Sequence, residues 1–298
     1  MNRVTNLDPK AYITFRRVFG QNPELLTSLL NALLPFRQEE DRIVEILKDP
    51  LPEIHRSPFC TTLRAHCMNG RGSTVIIDIR IIYTWTSRKQ ILTEAAGACV
   101  PQYTGEGPDP QIPVYVLNIV DDDIPDSWEY RQEMGEAAGP EGGLHVTIIE
   151  LPRFKNDRAL PPTTEELWLR FLNECGGDAA ETAPELTAHP LIGKAVRLLD
   201  SSAYSEEEML DYTQSVQSAK AVRAAVHGIM QESYGRGRCK GFEEGFARWY
   251  REGVNTGIIA GVQQQQRDSA RRMAASGISV EDILRWTGIR EYEIGMLK

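Results

Sequence analysis

The clearest hydrophobic pattern in the chain lies between residues 59 and 82, where apolar and polar positions alternate along two runs rich in Thr, Val and Ile. Alternation with a period of two is typical of a β-strand that buries one face. Asn69-Gly70, between the two runs, is a strong signal for a tight turn. The stretch therefore predicts a β-hairpin with one aliphatic face and one polar face. The polar face contains Thr62, Arg64, His66, Asp78 and Arg80.

The register of this hairpin follows from matching the aliphatic faces of its two strands. A two-residue loop at Asn69-Gly70 would turn the aliphatic rows to opposite sides of the sheet. One extra loop residue removes the conflict, and the sequence Asn-Gly-Arg-Gly can supply it as a three-residue loop with a glycine bulge. This register predicts that Thr62 lies opposite Asp78 and that Cys60 lies opposite Arg80.

The elements around the hairpin predict an α/β sandwich with a mixed sheet of four or five strands. Asp8-Pro9 is a typical helix start, with Asp8 as N-cap and Gly20 as C-cap, and a leucine-rich second helix begins at Asn22-Pro23. The apolar run VYVLNIV, residues 114–120, predicts a central strand buried on both faces. The other predicted elements are an edge strand at 42–48, a helix at 87–99 and a strand at 144–151.

Beyond residue 153 the pattern becomes helical, with predicted helices at 164–175, 190–199 and 205–234 and a loose linker at 176–190. A four-residue repeat of glycine follows, with Trp249 at the one step that lacks glycine. Two interpretations remain open: a self-associating helix or a flexible tether. A glycine inside a helix costs about 0.5–1 kcal/mol against alanine, so a helical tract needs an offsetting gain. The repeat contains Gly237, Gly241, Gly245, Gly253, Gly257 and Gly261.

Two further features of this half of the chain offer weak evidence for nucleic-acid contact. Five basic residues between Arg236 and Arg251 alternate with aromatic residues, but interspersed glutamates favour a solvated helix face. The last 30 residues have the punctuation of a small helix-turn-helix, with Gly277 closing one helix and Ser279 starting the next. Because the final helix offers Glu291 and Glu293 to a partner, a packing or oligomerisation tail is the favoured interpretation.

Composition narrows the class of protein. The 298 residues are 41% hydrophobic and 25% charged, as in ordinary soluble proteins. No apolar run reaches the roughly 18 residues of a membrane span, and the N-terminal residues lack the apolar core of a secretion signal, so we expect a cytoplasmic protein. The five cysteines include no C-x-x-C pair, which argues against a disulfide framework or a zinc ribbon. A net charge of −9 requires that any DNA contact use a local basic patch.

Four stretches together resemble a known family. DPKAYITFRRVFG, VYVLNIV, HVTIIELPRF and SGISVEDILRWTGIREYEI, in this order around the hairpin, are similar to the recombination-promoting nuclease and transposase family of bacteria. That family belongs to the PD-(D/E)XK nuclease superfamily. The resemblance implies a mixed sheet flanked by helices with a helical C-terminal extension. We divide the chain into a nuclease-like core at 1–155, a helical region at 156–234, a glycine-periodic tract at 235–262 and a small helical tail at 263–298.

The resemblance also implies a chemistry. The family needs an acid on each hairpin strand and a Gln or Lys two residues beyond the second acid, because a hard ion such as Mg²⁺ binds carboxylate oxygens. Asp78 matches the second acid and is the candidate catalytic residue and metal ligand. The first acid falls on Thr62, or on Cys60 or Arg64 if the register differs. The Gln or Lys falls on Arg80, and an acid of the opening helix falls on Tyr12.

These departures predict a degenerate metal site. A carboxylate and a guanidinium 4 Å apart attract each other by about 4 kcal/mol at an effective dielectric of 20, so Arg80 would compete with a metal for Asp78. Two hypotheses follow: a magnesium-dependent DNA endonuclease or transposase-like enzyme of a mobile-element or recombination system, or a non-catalytic relative that binds DNA or protein and assembles as a homo-oligomer through its C-terminal tail. Acids that could rescue the site are Glu53, Glu94, Asp121 and Glu150.

Other candidate metal ligands are less convincing. His66 and Cys67 are adjacent on a predicted strand and point to opposite faces, so they cannot easily share a metal with the nearby His55 and Cys60. An ordinary buried cysteine and surface histidines are the favoured interpretation. The run Asp121–Asp123 follows a predicted strand and could bind a metal there, but such runs are more often solvated loops.

Overall fold

The computed structural model describes residues 6–47, 52–84, 86–103, 112–124, 127, 129–135, 143–155, 161–176, 182–290 and 293. The chain divides into two compact units, residues 1–228 and 229–298. None of the helices formed by these described residues is long and apolar enough to cross a membrane.

The first unit is built on a mixed sheet, as the resemblance implied, and this sheet has seven strands. The strand order is β1-β3-β4-β5-β7-β6, and β2 also pairs with β3. Pairs β4–β5 and β5–β7 are parallel, and the others are antiparallel. The sequence predicted four or five strands because β2 and β6 are short and polar. The strands are β1 Ile43–Ile46, β2 Glu53–Arg56, β3 Cys60–Asn69, β4 Thr74–Ile82, β5 Val114–Val120, β6 Arg131–Gly135 and β7 Leu144–Glu150.

Helices flank this sheet on both faces, which confirms the predicted fold class. The aliphatic face of the hairpin packs against aromatic side chains of α1 and α4, such as Phe15 and Trp168, and against the leucines of α2. The other face packs against α3 through Ile91 and Ala95. The helices are α1 Tyr12–Phe15, α2 Pro23–Leu33, α3 Arg88–Tyr103, α4 Thr164–Glu174, α5 Pro184–Ala188, α6 Pro190–Arg197, α7 Glu206–Ala275 and α8 Val280–Thr287.

The first helix begins later than the sequence predicts. Ala11 precedes α1, which continues as a π-helical segment to Gly20, so the prediction of Asp8 as N-cap was wrong. Long-range hydrogen bonds hold the preceding residues outside the helix. The Leu7 N–H donates to the carbonyl of Leu199 (2.9 Å), and the Asp8 N–H donates to the Tyr212 hydroxyl (2.9 Å). Tertiary contacts therefore override a good local start signal.

The register of the β3–β4 hairpin differs from the prediction by two residues. Arg64 lies opposite Asp78 and Thr62 lies opposite Arg80. The loop has three residues, as predicted, but it spans residues 70–72 because Asn69 ends the strand. The Asn69 side-chain oxygen accepts the N–H groups of Arg71 (3.1 Å) and Ser73 (2.9 Å), and Gly72 has φ +78°. A shift of two residues keeps every side chain on its predicted face.

The second unit contains the C-terminal part of α7 and helix α8. The glycine repeat lies inside α7, so the interpretation as a flexible tether was wrong. Gly277 (φ +79°) follows α7, and the Ser279 hydroxyl accepts the N–H of Asp282 (3.2 Å) at the start of α8, as predicted. Ala270, Ile283 and Ile289 form a small apolar cluster between the two helices. Most of the predicted final helix lies outside the described residues.

The hairpin loop can be tested with two glycine-to-alanine substitutions. A Cβ at Gly72 or at Gly97 would meet no other atom within 4 Å, but only Gly72 has a positive φ. We expect Gly72→Ala to destabilise the protein by about 1 kcal/mol, because an L-residue in the left-handed region costs about 1–2 kcal/mol. The matched control Gly97→Ala, within α3, should stabilise it by up to about 1 kcal/mol. Urea unfolding measures both changes, and equal stabilisation by the two variants would contradict the loop conformation.

Candidate functional site: a row of alternating charges on the hairpin

Three charged residues form a row across strands β2, β3 and β4. Glu53 pairs with Arg64, and Arg64 pairs with Asp78, in consecutive antiparallel ladders. Directly opposite residues in antiparallel strands share a face, with Cβ atoms about 4.5–5.5 Å apart. Arg64 therefore lies between two carboxylate-bearing neighbours. We call this set, Glu53, Arg64 and Asp78, the charge row.

A second row lies next to the charge row on the same face. Thr62 of β3 pairs with Arg80 of β4, which pairs with Asn118 of β5. The guanidinium of Arg80 forms an ion pair with the carboxylate of Glu94 on α3. The sequence predicted Asp78 as the direct partner of Arg80, and the structure instead assigns that contact to Glu94.

The electrostatics of Asp78 reflect its burial and its cationic surroundings. Burial has the largest effect and raises the pKa of Asp78. The charges of Arg64, Arg80 and His55 oppose this shift, with Arg64 the strongest of the three. Asp78 is thus a desolvated carboxyl group whose charged neighbours are cations.

The chain matches one protein family over most of its length. The family model of the PD-(D/E)XK nuclease family transposases matches residues 9–228, which is most of the chain and includes the whole described sheet. The chain belongs to this family. No curated protein and no solved structure shows significant similarity to it.

PD-(D/E)XK nucleases generally use divalent metal ions, but the residues of this family member do not fit one. Mg²⁺ and related hard cations bind through several oxygen ligands, mostly carboxylates. Among the residues that the structure describes, no group of three or more His, Cys, Asp or Glu side chains could hold a metal ion. The charged residues that act on Asp78 are Arg64, Arg80 and His55, which include no acid. Arg64 lies opposite Asp78, where a second acid was expected.

The acids that could have rescued the site are engaged elsewhere. Glu53 lies beside Arg64, and Glu94 binds Arg80. Glu150 is buried at the end of β7, where its carboxylate accepts the N–H of Ile124 (3.1 Å) and pairs with Arg153 (2.9 Å). Within the described part of the chain, the geometry therefore gives Asp78 no second carboxylate for a metal ion.

Tyr12, the position matched to the acid of the opening helix, supplies an aromatic ring. The guanidinium of Arg56 lies 4.9 Å from the ring centroid of Tyr12. Both residues line a cavity of about 470 Å³ together with Thr61. Thr61 points to the face of β3 opposite to that of Arg64, because adjacent strand residues alternate. The cavity that Tyr12 lines therefore lies on the opposite face of the sheet from the charge row.

A buried lysine near the N-terminus forms a second charged cluster, which the sequence analysis missed. Lys10 is 7% exposed, and its ammonium donates to the carbonyl of Leu172 (3.0 Å) and lies 3.1 Å from the carboxylate of Asp8 and 3.8 Å from that of Asp121. Burial acts to lower the pKa of Lys10, but the two carboxylates outweigh this and raise it. Burial also raises the pKa of Asp121 to about 6, although Lys10 opposes the shift.

The run Asp121–Asp123 is therefore not a solvated loop as a whole. Asp122 is 2% exposed and bonds Nε2 of His227 (2.7 Å) and Nη2 of Arg223 (3.3 Å), both on α7. The first two aspartates of the run bind cations of this chain, and neither forms, with other described residues, a group of acids that could hold a metal ion.

The shifted pKa of Asp121 predicts a pH-dependent stability. Its folded pKa of about 6 exceeds the ordinary aspartate pKa of 3.8. The unfolded state therefore ionises first as pH rises, and the fold loses stability between about pH 4 and pH 6. Asp121→Asn abolishes this loss. The difference in free energy of unfolding between the variant and the wild type should therefore be about 2–3 kcal/mol more favourable to the variant at pH 7 than at pH 4. Urea unfolding at the two pH values measures the difference.

The matched control is Asp123→Asn, which removes one exposed carboxylate two residues away. Equal changes in the free energy of unfolding at pH 4 and pH 7 for Asp121→Asn would contradict the assignment.

Proposed function

We propose that this family member does not cleave DNA at the hairpin site and acts instead as a binding protein on the nuclease scaffold. The observation that supports the proposal is the pairing of Arg64 with Asp78. A guanidinium stands at the position where metal-dependent cleavage would need a second acid.

Positive charge around Asp78 opposes the binding of a metal ion. A divalent cation at Asp78 would enter a site already bordered by Arg64, Arg80 and His55, of which the two arginines stay protonated at any physiological pH. Because the site is partly desolvated, repulsion between these cations and the metal is weakly screened. An arginine two residues beyond Asp78 also cannot readily give up a proton and act as a general base.

The proposed partner is DNA, and the proposed setting is a mobile-element or recombination system. Membership of the PD-(D/E)XK nuclease family transposases supports both proposals. Since the chain carries a net charge of −9, binding would depend on local basic surfaces and would weaken steeply with salt. The alternative is a magnesium-dependent endonuclease with Asp78 as catalytic residue and metal ligand. A cleavage experiment distinguishes the two hypotheses.

The cleavage test uses supercoiled plasmid with Mg²⁺ or Mn²⁺. We expect wild-type protein and Asp78→Ala to leave the plasmid equally intact, because Asp78 has no partner acid. Nicking by the wild type that Asp78→Ala abolishes would contradict the proposal.

A complementary prediction concerns restoration of the metal site. Arg64→Asp combined with Arg80→Gln places two carboxylates directly opposite each other, so we expect Mn²⁺ affinity to rise at least about tenfold, as calorimetry can measure. The matched control is Thr62→Asp combined with Arg80→Gln, whose new acid lies opposite residue 80 instead of Asp78. An equal gain in both variants would show that the register of the charge row does not govern metal binding.

A second proposed property is self-association through the C-terminal helix. It is supported by a set of large apolar side chains between residues 242 and 262 of α7 that are exposed to solvent.

A further inference from the structure

Residues 241–264 of α7 form a tetrad repeat that is more regular than the glycines alone. The six consecutive tetrads are GFEE, GFAR, WYRE, GVNT, GIIA and GVQQ. The first position is glycine except at Trp249, and the second position is always a large apolar residue. In an α-helix each four-residue step advances 400°, so both positions form continuous rows that drift slowly around the helix.

The second positions form a ridge on this helix. Their side chains are 42–74% exposed, although all are hydrophobic. The first positions form a groove beside the ridge, because glycine has no side chain. A Cβ added at any glycine of the row would meet no other atom within 4 Å, so the groove is open. The ridge contains Phe242, Phe246, Tyr250, Val254, Ile258 and Val262. The groove contains Gly241, Gly245, Gly253, Gly257 and Gly261.

The exposed apolar area is large enough for a stable interface. The four aromatic residues between 242 and 250 are 54–74% exposed, which corresponds to roughly 500 Å². Val254, Ile258, Ile259 and Val262 add on the order of 300 Å². Exposed apolar patches on monomers are usually about 300–600 Å², whereas a standard interface covers about 800 Å² per partner. The apolar surface of the repeat therefore matches one side of a protein–protein interface.

We propose that a second copy of this chain covers this surface, with the ridge of each helix packed into the glycine groove of the other. The proposal rests on the self-association proposed above and adds its interface and orientation. One helix carries both the ridge and the groove, so two copies related by a two-fold axis are mutually complementary. Rows with a period longer than 3.6 residues stay in contact when the helices coil around each other in a right-handed sense. Glycines allow the close backbone approach, which offsets their cost within the helix.

The distribution of charge favours an antiparallel pair. Residues 236–252 contain five basic and three acidic side chains, whereas residues 253–266 contain none. A parallel pair would align the basic clusters of the two copies, and an antiparallel pair places each charged half beside an uncharged half. With a two-fold axis near residue 251, almost the whole repeat of one copy lies alongside the repeat of the other. This axis also sets Trp249, the one large residue of the groove row, against Gly253 of the other copy.

The interface is tested by light scattering of the full chain with two adjacent substitutions. Phe246→Glu places a charge on the ridge, and Ala247→Glu places the same group 100° further around the helix, on the side away from the groove. We expect the wild type and Ala247→Glu to be dimers with similar dissociation constants, and Phe246→Glu to dissociate at least about tenfold more readily. Circular dichroism confirms that both variants remain helical.

The outcomes separate the two levels of the proposal. A monomeric wild type would overturn self-association together with this interface. A dimer that Phe246→Glu leaves intact, or that both substitutions weaken equally, would overturn the interface and leave self-association standing.

Pulsed electron spin resonance tests the orientation. Cys239 is exposed on the same helix, whereas Cys67 and Cys175 are buried. Replacing Cys60 and Cys99 by serine in the labelled protein directs the spin label to Cys239. With the axis near residue 251, the two labels are separated by 24 residues of helix, or about 36 Å along the axis. A separation below about 20 Å would overturn the antiparallel arrangement, because a parallel pair places the two labels side by side.

Discussion

The central interaction of this protein is the pairing of Asp78 with Arg64 across the hairpin. Asp78 is partly withdrawn from water, which by itself favours its neutral form, and the guanidinium opposite it favours the ionised form. A partly buried carboxylate beside a cation forms a locally neutral unit with it, and removal of one member of such a pair costs more than the pair contributes. The same position in a metal-dependent nuclease has to be electron-rich and open to a cation. This pairing is the basis of the proposal that the polar face of the hairpin binds no metal ion.

The two units differ in how far their charged and apolar side chains contact other residues of the chain. In the first unit several buried or partly buried charged residues are paired within the chain: Arg80 with Glu94, Lys10 with Asp8, and Asp122 with residues of α7. In the second unit a long segment of α7 exposes large apolar side chains that no described residue covers. The first unit belongs to a family of DNA-acting proteins, but the residues described in it include no group of acids that could hold a metal ion. The second unit exposes a surface typical of protein association. Together they support a binding and assembly role more than a catalytic one.

The sequence predicts the faces of the hairpin, the central strand at 114–120 and the fold class, because these depend on hydrophobic alternation that neighbouring elements do not change. It misplaces the hairpin register, since Asn69 acts as a strand end whose side chain organises the loop instead of as the first loop residue. That difference moves the residue opposite Asp78 from Thr62 to Arg64, which changes the chemistry of the site. The sequence also cannot show that Asp121 and Asp122 bind Lys10, Arg223 and His227, because these pairs join residues about 100 positions apart.

The most direct test of this account is a crystal of the wild-type protein soaked with Mn²⁺ and measured for anomalous scattering. We expect no anomalous peak within bonding distance, about 2–2.5 Å, of the Asp78 carboxylate, and density for the Arg64 side chain beside it. An anomalous peak bound to Asp78, with the Arg64 guanidinium turned away, would contradict the account.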